Sequence, residues 1–320
     1  MNLSSKSIST INILLMLILV MLWGSSYVVA KAILREGLTP VAIATFRFLV
    51  AAVLSALILL FNKAHNRTYR LFVERKDAPI VLLLALTGVT FYFIVQYTGI
   101  KLANASIASI MVCLVSPIVI SLFSARLLKE RLTRKQIFGV GIASIGTVVV
   151  VGGTTLSLKN DTSFLLGSLI LLLTPFLWAT YTIASRRILN KYEPFLVVAY
   201  VDILGALFLI PFSMAENSAH GIFLLTLNEW TAILYLGLAC SSLGYWIWIY
   251  VLKQVNAAVT SSFLFAQPVI TVLLATIFLG EELTLSTIGG GLLIFAGVFL
   301  VIRSNVYGPP SVPLAGAEAI

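Results

Sequence analysis

Two charged side chains stand alone within long apolar stretches of the chain, Arg47 and Asp202. A charge in an apolar interior is expensive, so each marks a candidate functional position. Arg47 can serve the substrate, cap helix carbonyls, neutralise a neighbour or pair with Asp202. Asp202 can carry a coupling proton, bind a substrate amine or make a structural hydrogen bond. The aromatic residues Trp23, Tyr92, Trp178, Tyr245 and Trp246 lie in similar apolar runs. Ring faces with a few polar groups suit an amphipathic organic solute or a cation held over a ring. Ser25, Ser26, Tyr27, Gln96, Tyr181 and Gln267 supply uncharged hydrogen-bonding groups in the same stretches. Gln267 precedes Pro268, and Ser116 precedes Pro117. A proline frees a backbone carbonyl, and broken helices of this kind line solute sites in membranes.

This inventory favours binding over catalysis. The apolar stretches hold one acid, no histidine and no second carboxylate, so neither an acid/base pair nor a metal pair can be assembled there. Cys113 and Cys240 read as small packing groups. No Gly-x-x-x-x-Gly-Lys-[Ser/Thr] loop is present to drive a nucleotide-powered pump, and no cofactor is expected.

The elements that position these residues follow from composition. Of 320 residues, 60% are hydrophobic and only 10% are charged, against about 25% charged in a soluble domain. A water-facing globular enzyme is excluded, and the chain reads as an integral membrane protein. Apolar runs with turn-like breaks predict ten spans: 11–33, 40–61, 79–99, 104–126, 136–154, 164–185, 194–214, 230–252, 257–279 and 286–303. They are about twice the length of a barrel strand and lack its alternation, so helices are expected. Pro40, Pro79 and Pro194 stand at or beside span starts, where a missing N–H costs nothing.

With the first residues placed inside, 16 Lys and Arg fall in inner segments and 4 in outer ones, with Arg47 in a span. Such a split places both termini in the cytoplasm. It also accounts for the net charge of +9 without a nucleic-acid partner. Arg47 lies seven residues past Pro40 and Asp202 eight past Pro194, so they sit about 10 and about 12 Å deep from opposite faces. Residues 304–320, with three prolines, are expected to form a disordered cytoplasmic tail.

The chain is also written twice. Trp23 precedes Arg47 by the same 24 positions that separate Trp178 from Asp202. Residues 117–150 align without a gap on 268–301 with ten identities in 34, including Pro117/Pro268, Glu130/Glu281, Gly139/Gly290 and Gly146/Gly297. Five spans per half is an odd number, so the second half enters the membrane inverted. Inverted halves are the signature of secondary transporters, which open one central site to each side in turn.

The segments Trp-Gly-Ser-Ser-Tyr-Val-Val-Ala-Lys at 23–31, Phe-Arg-Phe at 46–48, Leu-Lys-Glu-Arg-Leu-Thr at 128–133 and Gly-Glu-Glu-Leu-Thr at 280–284 resemble the EamA-type members of the drug/metabolite transporter superfamily. The resemblance covers residues 11 to 303. It implies an all-α membrane protein of ten transmembrane helices as two inverted five-helix repeats, 11–154 and 164–303. It further implies a central cavity and export or exchange of small metabolites. The expected function is therefore export of a small organic metabolite, such as an amino acid, across the cytoplasmic membrane by alternating access, with protons as the candidate coupling ion. The alternatives are efflux of drugs or other amphipathic compounds and, behind these, an intramembrane enzyme or a channel. The expected substrate-binding set is Trp23, Ser25, Ser26, Arg47, Tyr92, Gln96, Trp178, Tyr181, Asp202, Tyr245, Trp246 and Gln267.

Overall fold

The computed structural model describes residues 8–103, 105–128, 133–155, 162–216, 225–281 and 285–303; Glu130, Glu282 and the 304–320 tail lie outside them. The described residues are helical, with no strand among them. Eight helices are long and apolar enough to cross a membrane. They are α1 (Thr10–Arg35), α2 (Pro40–His65), α3 (Arg75–Leu102), α4 (Ala105–Leu127), α6 (Leu166–Ile188), α7 (Pro194–Ala215), α8 (Leu227–Gln254) and α9 (Ala257–Leu279). Two further helices, α5 (Arg134–Thr155) and α10 (Leu285–Ile302), occupy the fifth and last predicted spans.

Local sequence sets the helix ends. The Ser9 and Thr39 hydroxyls accept from the third residue ahead, Asn12 and Ala42, and Pro40 fills the first turn of α2. Such caps satisfy donors that have no intrahelical partner. Thr226 and Glu229 close a reciprocal capping box at the start of α8, and Asn256 accepts from the Val259 N–H at 2.8 Å at the start of α9. Gly280, at φ +69°, ends α9 in a left-handed turn that a side chain would strain.

The distribution of polarity is reversed relative to a soluble protein. Large apolar residues such as Leu14, Val53, Leu57, Leu60 and Phe278 point outward, where lipid would solvate them. Arg47, Gln96, Asp202 and Gln267 are buried among the helices.

The packing has an internal regularity. Helix α1 packs on α9 and α4 packs on α6; α1 meets α8 and α3 meets α6; α2 packs on α7 and α5 on α10. Exchanging the first five helices for the last five maps this set of neighbours onto itself. The α5–α10 contact shows it at residue level. A Cβ on Gly139 would lie 2.6 Å from the Gly297 carbonyl oxygen, and one on Gly146 would lie 2.6 Å from that of Gly290. Only glycine allows this approach, and the partners are the repeat-related pairs crossed over.

Helices α3 and α8 share an irregularity. Each contains a π-helical segment, Leu86–Thr90 and Tyr235–Leu243. An extra residue per turn rotates everything beyond it and is frequent at functional sites.

Candidate functional site

One cavity lies between α1, α2, α3, α4, α6, α8 and α9. Eight of the predicted residues line it: Trp23, Ser26, Arg47, Tyr92, Gln96, Trp178, Tyr245 and Gln267. Tyr27 and Ser116, polar span positions singled out in the sequence, line it too.

The aromatic side of the site is built around Trp23. Its ring meets Trp178 edge-on at 5.2 Å and Tyr245 at 5.9 Å, with Trp248 5.7 Å away. Its indole N–H donates to the Cys240 carbonyl at 2.9 Å, inside the π-helical segment of α8. The Tyr245 hydroxyl donates to the Gly88 carbonyl, inside the corresponding segment of α3. Each irregular turn therefore anchors an aromatic side chain of the cavity wall.

Arg47 occupies the polar side and is only 2% exposed. Its Nε donates to Ser241 Oγ at 2.9 Å, and its Nη1 donates to the Tyr97 hydroxyl. The guanidinium carbon lies 4.4 Å from the Phe93 ring centre and 5.2 Å from that of Phe48, an arrangement that offsets part of the lost hydration. Gln96 gives its amide hydrogens to Tyr27 and Tyr92, both at 3.1 Å. The Cys113 thiol donates to Gln267 Oε1 at 3.0 Å. Ser26 and Ser116 return their hydroxyl hydrogens to carbonyls of their own helices, those of Trp23 and Val112.

Four residues of the predicted set do not line this cavity. Ser25 shares a 2.6 Å hydrogen bond with Tyr235 and bonds back to the carbonyls of Met21 and Leu22. Tyr181 lies under Trp178, ring centres 4.9 Å apart, and is fully buried. Trp246 is half-buried and stacks on Tyr250. Asp202 is fully buried against α2, where Ser55 donates to its Oδ2 at 2.8 Å. Arg47 and Asp202 occupy equivalent repeat positions but form no ion pair with each other among the described residues.

Phe93, Val112, Cys113 and Leu264 line the cavity without having been singled out as binding candidates. Helical spacing carries the signal for two of them. Cys113 stands three residues before Ser116, and Leu264 three before Gln267, one turn along the same face.

Comparison with known proteins agrees with this architecture. The model of the EamA-like transporter family matches residues 10–152 and 165–303. An uncharacterized transporter of Archaeoglobus fulgidus is 31% identical over 285 residues, covering 88% of this chain and 95% of that one. A probable amino-acid metabolite efflux pump of Salmonella typhimurium is 27% identical over 305 residues, 92% of this chain and 94% of the relative. A probable terminal-alkyne amino-acid exporter of Streptantibioticus cattleyicolor is 28% identical over 233 residues, 72% and 75% of the two chains. A solved crystal structure superposes with a TM-score of 0.72 at 19% identity, over 91% of this chain and 96% of that one, a likeness of fold. With two family matches that together span nearly all of its helical length, the chain belongs to the EamA-like transporter family.

Proposed function

We propose that this multi-pass membrane protein is a secondary transporter that exports a small organic metabolite, such as an amino acid, by alternating access. The observation that carries the reading is the pattern of helix neighbours around the central cavity, which survives exchange of the two halves. Two related halves that enclose one site can swap their roles, so that closure on one side accompanies opening on the other. In this reading α5 and α10 also cross the bilayer. The chain then has ten spans as two inverted repeats, 11–154 and 164–303, in the cytoplasmic membrane. The names of the Salmonella and Streptantibioticus relatives support amino-acid-like cargo and the outward direction.

Hydrogen bonds sort the chain into two ends. Asn12 at the start of α1 meets Gln254 at the end of α8, Lys253 meets the Tyr192 carbonyl, and Tyr192 meets Glu74. Arg35 meets the Leu279 carbonyl and Thr39 meets Glu216 at the other end. The first end carries Lys63, Arg67, Arg70, Arg75, Lys76, Arg186, Arg187, Lys191 and Lys253. This supports a cytoplasmic location for it and for both termini. The cavity residues Trp23, Ser26, Arg47, Tyr92, Gln96, Trp178, Tyr245 and Gln267 bind the substrate in this scheme, and Asp202 carries the coupling proton.

Reconstitution into liposomes tests the reading. Labelled amino acids trapped with the protein are expected to leave faster than from empty liposomes, and an imposed pH gradient is expected to alter the rate. Asp202→Asn is expected to abolish the pH effect. No movement of any solute in a broad screen refutes the carrier, and unchanged pH dependence in Asp202→Asn removes Asp202 from coupling.

A further inference from the structure

We infer that the cavity seats the carboxylate of its substrate against Arg47 and excludes organic solutes of net positive charge. This deepens the carrier reading and rests on it for the passage of the bound solute.

Charge points the same way throughout the cavity. Arg47 is the one charged side chain among the residues that line it, and a guanidinium cannot be deprotonated in a protein. Its nearest repeat-related acid, Asp202, is turned to Ser55 on α2 and does not line the cavity. The wall thus presents a buried cation and no carboxylate of its own. A ligand carboxylate would supply that missing charge, and a ligand cation would double it.

The hydrogen-bond inventory agrees. Nε and Nη1 of Arg47 are engaged with Ser241 and Tyr97, while Nη2 has no hydrogen-bond partner among the described residues. Gln267 accepts from the Cys113 thiol through Oε1, and its Nε2 is buried without a partner. The Trp178 indole N–H is likewise buried without one. Gln267 and Trp178, two residues of the cavity wall, thus each carry a buried donor without an acceptor, and a buried unmet donor is costly until an acceptor reaches it. A planar carboxylate offers two oxygens in the geometry that a guanidinium edge takes best.

Gln96 answers for the other end of an amino acid. Both its amide hydrogens go to Tyr27 and Tyr92, which leaves its carbonyl oxygen as a neutral acceptor. A zwitterion can be held there without a second ion pair, but a bare amine gains nothing to offset Arg47. The rings of Trp23, Trp178 and Tyr245 would attract a cation only at close range over a face. Repulsion from the guanidinium acts across the whole low-dielectric site.

The test uses the full chain in lipid nanodiscs and three compounds of similar shape: 3-phenylpropionate, L-phenylalanine and phenethylamine. Binding is followed by tryptophan fluorescence, since Trp23 and Trp178 line the cavity. Both carboxylates are expected to bind, and the amine at least tenfold more weakly. Arg47→Gln is expected to weaken the carboxylates at least tenfold without weakening the amine, and Arg47→Lys to restore part of the loss. If Arg47→Gln does not fold, the three-compound series on the unaltered protein decides alone. An amine that binds as tightly as the acids, acids unaffected by Arg47→Gln, or no binding by any of the three overturns the carboxylate seat. Counterflow in liposomes separates the two readings. Acids that bind but never cross refute the carrier and leave the seat, whereas movement of phenethylamine but not the acids refutes the seat and leaves the carrier.

Discussion

Lys31 follows Trp23 by eight residues, and Arg186 follows Trp178 by eight. In the structure the two cations clamp equivalent places. Lys31 Nζ donates to the carbonyls of Ile100, at 2.8 Å, and Ala103, across the end of α3. Arg186 donates to the carbonyls of Leu252 and Val255, across the end of α8. Asn12, at the far end of α1 from Lys31, touches Gln254 beside the second clamp, so the clamps stand about 28 Å apart at 1.5 Å per residue. They differ in what surrounds them. At the Lys31 end, Glu281 crosses between the halves and accepts from the N–H groups of Ala105 and Ser106 at 3.2 and 3.3 Å. At the Arg186 end, α9 is capped by its own Asn256, and a surface network of Glu74, Asp77, Lys191 and Tyr192 stands behind. At both ends a cation bonds to backbone carbonyls. In the proposed alternating-access scheme these are the bonds that opening would break, and a ligand that favours one state by as much as they contribute would suffice.

Removing the clamps one at a time gives the largest expected effect. Loss of a charged hydrogen bond costs about 1.5 to 3 kcal/mol, or roughly tenfold or more in the population of the open state. Cys113 lines the cavity and so reports access from either face when Cys240 is replaced by alanine. With a membrane-impermeant maleimide, Arg186→Ala is expected to speed labelling from the Arg186 end alone, and Lys31→Ala from the Lys31 end alone. If both variants speed labelling from the same side, the clamps are not mirror devices.

The tryptophan eight residues before each clamp sharpens the comparison. The Trp23 indole N–H bonds to the Cys240 carbonyl at 2.9 Å, and that of Trp178 has no partner among the described residues. Trp23→Phe removes a hydrogen bond, at a cost of about 1 kcal/mol, whereas Trp178→Phe removes none. Thermal unfolding in detergent is expected to show a clear drop for the first and a smaller one for the second. Ligand affinity is expected to move the other way, because the Trp178 N–H is free for the substrate. Equal drops in midpoint would mean that the two halves do not differ here.

Glu281 is the next smaller lever. Its carboxylate sits at the first turn of α4, where a negative charge is worth about 0.3 to 1 kcal/mol. Glu281→Gln is expected to raise Cys113 labelling from the Lys31 end by a few-fold and to leave the Arg186 end unchanged. Labelling that rises from the Arg186 end instead would place the Glu281 contact on the wrong side of the gate.

These contrasts also show what sequence could and could not locate. Pro40, Pro79 and Pro194 sit in first turns as their chemistry dictates, and the repeat-matched glycines at 139, 146, 290 and 297 stand at the α5–α10 contact. Depth along a span was countable from those starts. Rotation about the span was not. Ser25 and Ser26 are adjacent, yet only Ser26 lines the cavity, and Trp246 faces away where Tyr245 faces in. Neighbours on a helix differ by about 100°, and the π-helical segment at Tyr235–Leu243 shifts the phase just before Tyr245. No periodicity fixed at 3.6 residues anticipates that shift. The same uncertainty of rotation hid the turn of Asp202 toward Ser55.

The smallest effect belongs to the network behind the Arg186 clamp, and pH reads it. Glu74 receives Arg70 at 2.8 Å and Lys76 at 3.1 Å, with Lys191 also in contact. Hydrogen bonds from Lys191, Arg70 and Lys76 hold its carboxyl down from an ordinary 4.5 to about 2. The folded state therefore binds its proton more weakly than the unfolded one. Its stabilisation is fully present above about 4.5 and drains away as pH falls through about 2. The group is exposed, so screening keeps the effect small. Phe72, 75% exposed beside it, offers a cleavage site for pepsin, which acts at acid pH. Unaltered protein is expected to be cut more slowly than Glu74→Gln near pH 4.5, with the two rates converging as pH approaches 2. Taking the ratio of the rates cancels the protease's own pH dependence. A ratio that stays constant across the window would mean that the Glu74 charge does not hold this segment, leaving the Arg186 end dependent on its clamp alone.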